Sequence, residues 1–167
     1  MRMSEPNATE AKKLVLFVED NHESVIEYRE ALKQYCQTHL VRTLNGAVRF
    51  LESEQGRQVA LVVIDLYMPG NHSLLARYES SARDSLITNQ GQLLAVWLRE
   101  HRSGLPFVYL SAFLEVNSDD SITGFSKAAK DKDALVSHIC KTLNPDKHSV
   151  TTGTDGSTES AGTEQTA

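Results

Sequence analysis

The sequence predicts an α/β domain with a five-stranded parallel sheet covered by helices. Three observations lead there. Residues Ala60 to Ile64 are all apolar and rich in β-branched side chains, the habit of a strand buried on both faces, and they run directly into Asp65. The run from Lys13 to Val18 repeats the pattern after its first residue and ends in Glu19-Asp20. Between and beyond these runs, apolar residues recur at helical spacing, so strand-like and helix-like segments alternate along the chain.

In order, residues 1–11 read as a flexible leader and Lys13 to Val18 as the first strand. Asn21 to Cys36 then reads as a helix with Val25, Tyr28, Leu32, Tyr35 and Cys36 on one face. Leu40 to Thr43 is a weaker strand. Asn45 can cap the next helix, whose inward stripe is Ala47, Val48 and Leu51 and which ends at Gln55-Gly56-Arg57. The Asp65 strand follows and is stopped by Met68-Pro69-Gly70, since proline cannot continue a ladder and Pro-Gly favours a turn. From Asn71 to Gln90 the pattern loosens around a short apolar knot of Leu74, Leu75 and Tyr78. Leu93, Leu94, Trp97 and Leu98 then mark a helix that stops near Ser103-Gly104. Pro106 to Leu110 is the fourth strand, ending in Ser111-Ala112. Phe113 to Asp120 leaves room only for a shortened fourth helix. Ile122 to Ser126 is the fifth strand, followed by Lys127. Asp131 or Asp133 can cap a last helix with Leu135, Ile139 and Leu143 inward, ended by Asn144-Pro145. The predicted domain spans residues 12–144, with an insertion at about 71–90. Residues 145–167, mostly Thr, Ser, Gly and Glu from Lys147 on, read as a disordered tail, because they cannot bury enough apolar surface to offset the entropy of ordering.

Alternation of this kind implies right-handed crossovers. A strand order of 2-1-3-4-5, the flavodoxin-like arrangement, puts the first and third strands side by side at the switch point where ligands bind in open α/β sheets. Composition narrows the function. The chain has 167 residues, is 40% hydrophobic and 23% charged, and carries a formal charge of -5, a balance that argues against general nucleic-acid or membrane-surface binding. No apolar run approaches the roughly 18 residues of a membrane span. Cys36 and Cys140 lie far apart in predicted helices and read as small core residues rather than a disulfide or metal pair, which suits a reducing cytoplasm.

Four strands end in residues able to do chemistry: Glu19-Asp20, Asp65, Ser111 and Lys127. A parallel sheet gathers these ends on one edge. Alone, Asp65 reads as a turn cap. Three converging carboxylates repel one another, and a bound cation relieves that; an oxygen-only ligand set suits Mg²⁺ or another hard divalent ion. A hard cation of this kind commonly also meets a phosphoryl group, to which Ser111 can donate and which Lys127 can neutralise, with Asp65 as the nucleophile.

The set Glu19-Asp20, Asp65 with Met68-Pro69, Ser111-Ala112 and Lys127 resembles the receiver domain of two-component response regulators, over roughly Lys13 to Leu143. The resemblance implies a stand-alone cytoplasmic switch rather than a turnover enzyme. Asp65 would accept phosphate from a histidine kinase or phosphotransfer protein. Asp20, Asp65 and the Tyr67 carbonyl would hold Mg²⁺, with Glu19 acting through water, and Ser111 and Lys127 would hold the phosphoryl oxygens. Output would pass to a downstream protein target, with no nucleic-acid or membrane partner.

Three features depart from that family. The insertion of residues 71–88 reads as a tolerated surface loop or as a lid or docking element anchored by Leu74, Leu75 and Tyr78. The eroded fourth helix and an aromatic, Phe125, two residues before Lys127 rather than three alter the usual output face. Ala128 stands where a proline usually follows the lysine, and Lys130 is an alternative to Lys127. The rival readings are a receiver-like interaction module that works without phosphorylation and a phosphohydrolase with an aspartyl nucleophile. Trp97 reads as core, His22 as a helix-start residue, and His72 and His101 as solvated side chains.

Overall fold

The computed structural model describes residues 12–79, 89–112, 123–127 and 132–145. Its strands are β1 (Leu14–Val18), β2 (Gln37–Val41), β3 (Val59–Ile64), β4 (Phe107–Ser111) and β5 (Gly124–Ser126). Every pairing is parallel and the order is β2-β1-β3-β4-β5, as the alternating pattern predicts. β1 is buried along its whole length, and β3 nearly so, because helices cover both faces of the central strands.

The helices are α1 (Ile26–Leu32), α2 (Leu44–Glu52), α3 (Gln90–His101) and α4 (Lys132–Leu143). One face of the sheet packs Leu16, Val18, Val62 and Ile64 against Val48 and Leu51 of α2 and Leu94 and Leu98 of α3. The other packs Phe17, Leu61, Val63 and Leu110 against Leu32 of α1 and Leu135 and Ile139 of α4. Burying each such large side chain contributes about 1.5–3 kcal/mol, so β1 and β3 supply the stiffest part of the domain. Trp97 is core, as expected, at 4% exposed. No helix among the described residues is long and apolar enough to cross a membrane.

Several expectations are corrected. The helix predicted from Asn21 to Cys36 is broken into a 3-10 turn, His22–Val25, and the shorter α1. The Asn21 side chain accepts from Glu23 N–H and caps the turn, and Val25 leaves helical geometry at φ -116, ψ 1. The chain turns again after Leu32, so Tyr35 is exposed while Cys36 points into the core. β2 begins earlier than expected, at Gln37; as an edge strand it is half-exposed and carries little apolar signal. The cap of α2 is Thr43, whose side chain accepts from Gly46 N–H at 3.0 Å, not Asn45. Gln55–Gln58 forms a 3-10 turn beyond the end of α2. The leader, the tail beyond Pro145, the shortened fourth helix at residues 113–120, Asp131 and Lys130 all lie outside the described residues.

Both cysteines are free. Burial pushes the Cys36 thiol up to about 11, and it raises that of the half-buried Cys140 as well. Alkylation at mildly alkaline pH, mapped by mass spectrometry, is expected to leave Cys36 unmodified in the native protein and to modify it fully in urea. Native-state labelling of Cys36 as fast as that of Cys140 would contradict the packing described for α1.

Candidate functional site: an acidic edge bridged by lysine

The site is built where the parallel ladder ends. The Asp65 N–H donates to the Val18 carbonyl at 2.9 Å, Glu19 N–H to the Val41 carbonyl at 3.0 Å, and Lys127 N–H to the Ser111 carbonyl at 2.9 Å. The sheet's hydrogen bonds thus continue past β1, β3 and β5 and fix the backbone of three functional residues at one edge. Sequence reasoning expected this gathering of Glu19, Asp20, Asp65, Ser111 and Lys127, and all five lie at the ends of the strands it named.

Lys127 is the centre of the arrangement. Its Nζ donates to Asp65 Oδ2 at 2.9 Å and to Glu19 Oε2. The remaining oxygens are also engaged: Asp65 Oδ1 accepts from Tyr67 N–H at 3.1 Å, and Glu19 Oε1 from Asn21 N–H at 3.2 Å. Asp65 therefore does cap its turn while its other oxygen meets the ammonium. Glu19 is 2% exposed, Asp65 6% and Ser111 1%. Burial raises the Glu19 pKa, Lys127 opposes the rise, and the nearby Asp65 charge adds to it. Burial works to lower the Lys127 pKa, but its hydrogen bonds and charge attraction to Glu19 and Asp65 outweigh that, so the net shift is upward.

One oxygen each from Glu19, Asp20 and Asp65 falls within a set whose members all lie within 4.8 Å of one another. Three carboxylates at that spacing, two of them buried, can hold a metal ion, and the all-oxygen donor set fits a hard divalent cation. Tyr67 follows in the turn and is 61% exposed. Beside the acids, a cavity of about 360 Å³ is lined by Asp65, Tyr67, Ser111 and Ala112, next to both the nucleophile candidate and Ser111. Phe125 is partly buried, with its ring tilted against His138 at 5.4 Å. Phe113 and Ala128 lie outside the described residues.

Sequence reasoning did not show how the start of α3 and the insertion frame this edge. Gly91, at the start of α3, brings its backbone against β3: its N–H donates to the Leu66 carbonyl at 3.0 Å. A Cβ there would stand 2.1 Å from the Asp65 carbonyl oxygen, so only glycine fits. Asn89 and Gln92 form a capping box at the same helix end. His72 is not free in solvent: Nδ1 meets the Gly70 carbonyl at 3.0 Å and Nε2 meets Glu79 at 2.7 Å. His101 stacks on Trp97 at 4.8 Å and meets Arg77 at 3.0 Å. Of the apolar knot, Leu75 and Tyr78 join the core at 0% and 5% exposed, whereas Leu74 is 42% exposed.

No protein-family model and no curated protein matches the sequence. Solved structures do match its fold. The signal receiver domain of a Luxo repressor protein from Vibrio parahaemolyticus aligns with a TM-score of 0.60 at 18% identity, covering 81% of this chain and 93% of that one. The signal receiver domain of an HD domain-containing protein from Pseudomonas fluorescens aligns with a TM-score of 0.60 at 15% identity, covering 80% and 96%. The response regulator TrrA from Thermotoga maritima, solved in complex with Mg²⁺ and BeF, aligns with a TM-score of 0.56 at 18% identity, covering 78% and 99%. The chain has the flavodoxin-like fold of response-regulator receiver domains.

Proposed function

We propose that this protein is a response-regulator receiver, phosphorylated on Asp65 in a Mg²⁺-dependent reaction by a histidine kinase or histidine phosphotransfer protein. The observation that carries the reading is the meeting of Glu19, Asp20, Asp65 and Lys127 at one buried edge, with Ser111 lining the adjoining cavity. Three acids gathered at one edge, two of them buried, repel one another and are costly to desolvate, and a bound cation with a phosphoryl group would turn that cost to use.

In this reading an Asp65 oxygen attacks the phosphorus of a phosphohistidine. The new O–P bond forms as the P–N bond breaks, and the electron pair returns to the imidazole nitrogen of the donor. Asp20, Asp65 and the Tyr67 carbonyl, with Glu19 acting through water, are the groups that would hold Mg²⁺, which when bound would supply charge neutralisation for the phosphoryl oxygens. Lys127 moves its pairing from Asp65 to a phosphoryl oxygen, and Ser111 donates a hydrogen bond to another. The protein assists its own phosphorylation and dephosphorylation without being a turnover enzyme. Its output goes through contacts with a downstream protein, and the cytoplasm, where such kinases act, is its compartment.

The test is incubation with a small-molecule phosphodonor and Mg²⁺, followed by intact mass. An adduct of about 80 Da, the mass of one phosphoryl group, is expected in the native protein and absent from Asp65→Asn. Asp65→Asn leaves Glu19 paired with Lys127, so it is expected to stay folded, and loss of the adduct then reports chemistry alone. Rapid multiple turnover of phosphate would point to a hydrolase. Absence of any adduct with every divalent ion would point to a receiver-like interaction module.

A further inference from the structure

The start of the insertion is a fitted part of the domain. Gly70 turns the chain at φ 107, a left-handed value that glycine accommodates, and residues 71–79 then cross to α2 and α3. The first of two fastenings is Asn45, in the first turn of α2. Its Oδ1 accepts from Leu74 N–H at 3.0 Å and its Nδ2 donates to Ser73 Oγ at 3.3 Å. The second is His72, whose ring ties the Gly70 carbonyl to Glu79. Between them, Leu75 fills the core. The loop from Asp65 to Gly70 is thereby held at both ends. β3 anchors its start, where Gly91 N–H also meets the Leu66 carbonyl, and the fastened segment anchors its exit. Tyr67 lies between these anchors.

We propose that Asn45 and His72 are positioning residues: they fix the exit of the Asp65–Gly70 loop, and with it the Tyr67 carbonyl, beside the acidic cluster. The consequence for metal affinity rests on the receiver reading above; the consequence for loop order does not. The described start of the insertion, residues 71–79, is then held to α2 and to the core rather than free of them. Its role is to set the loop that completes the oxygen ligands.

The test uses the full-length chain and the variants Asn45→Ala, Asn45→Asp, His72→Ala and Leu74→Ala. Two quantities are read: hydrogen exchange of the Tyr67 and Gly91 amides without metal, and the Mg²⁺ dissociation constant by calorimetry. Asn45→Ala and His72→Ala are expected to speed exchange at those amides about three- to tenfold, as loss of a tethering hydrogen bond does. They are expected to weaken Mg²⁺ binding about tenfold or more, as loss of a group that orients a ligand does. Asn45→Asp keeps the acceptor for Leu74 N–H and is expected to recover most of both effects. Leu74→Ala removes an exposed side chain from the same segment and is expected to change neither. Exchange and affinity within twofold of the native protein in both alanine variants would overturn the proposal. Should the native protein bind no divalent ion, the receiver reading fails and the exchange rates alone decide the fastening.

Discussion

Lys127→Met is expected to lose about 3–5 kcal/mol of stability at neutral pH, the usual cost of stripping the counter-charge from a buried ion pair. The variant leaves Glu19 and Asp65, 2% and 6% exposed, with no ammonium between them. Methionine has nearly the volume of the lysine stem, so the loss reads charge rather than packing. The pH dependence has a definite sign. Glu19 already has its pKa raised above its ordinary 4.5, chiefly by burial, and removing Lys127 takes away the interaction that opposes the rise. A carboxyl with a raised folded pKa favours the fold when protonated, and that stability is lost as pH climbs through the folded value. The variant should therefore regain stability in acid, where the native protein gains less. In the native protein the raised Lys127 pKa keeps the ammonium charged below 10.5, so on the alkaline side the pairing fails only in stronger alkali, and on the acid side it is lost as Glu19 protonates. Urea midpoints measured across pH decide the matter. A deficit that is the same in acid and at neutrality would show that Lys127 acts through packing instead.

Gly91→Ala is expected to damage the fold and the site together. The added Cβ would meet the Asp65 carbonyl oxygen at 2.1 Å and the Leu66 Cα at 2.9 Å. Both are backbone atoms in a turn already fixed by the sheet, so neither can swing aside as a flexible side chain would. Relief requires α3 to retreat from β3, which breaks the Gly91 to Leu66 hydrogen bond and opens the core beneath it. Overpacking of this kind costs about 1–3 kcal/mol. Because Asp65 is the residue pressed upon, the proposed function adds that the rate of phosphoryl uptake should fall along with the urea midpoint. Gly104→Ala provides the comparison: an added Cβ there meets nothing within 4 Å, and the change is expected to stay within about 0.5 kcal/mol of the native protein. Equal behaviour of the two variants would mean that α3 does not press on the turn.

The sheet was legible because burial on two faces leaves an unambiguous signature. β1 and β3 are apolar runs that end in acid, and their ends mark the edge on which Glu19, Asp20 and Asp65 meet. What escaped was encoded in contacts between distant residues. Asn45 looked like a helix cap because its type and position allowed it. Thr43 took that role, and Asn45 turned to Ser73 and Leu74, which no local periodicity links to it. His72 looked solvated for the same reason, since its partner Glu79 is brought to it by the path of the insertion, whereas His101 is exposed as expected and meets Arg77 at the surface. Tyr35 matched the apolar stripe of a helix that ends sooner, where no proline or glycine gives warning. The bridging of Glu19 and Asp65 by Lys127 follows from side-chain reach, which strand order alone does not give.

Because the acidic edge carries its own internal cation, folding and metal loading are separable. A chain leaving the ribosome can close this sheet without waiting for an ion, unlike small domains whose ligands repel until metal arrives. The same ammonium then becomes a competitor. An incoming divalent ion must draw Glu19 and Asp65 away from a partner they already have, and its apparent affinity is lowered by that work. On the proposed function, magnesium occupancy should accordingly follow the supply of phosphodonor, which would give the displaced lysine somewhere else to bind.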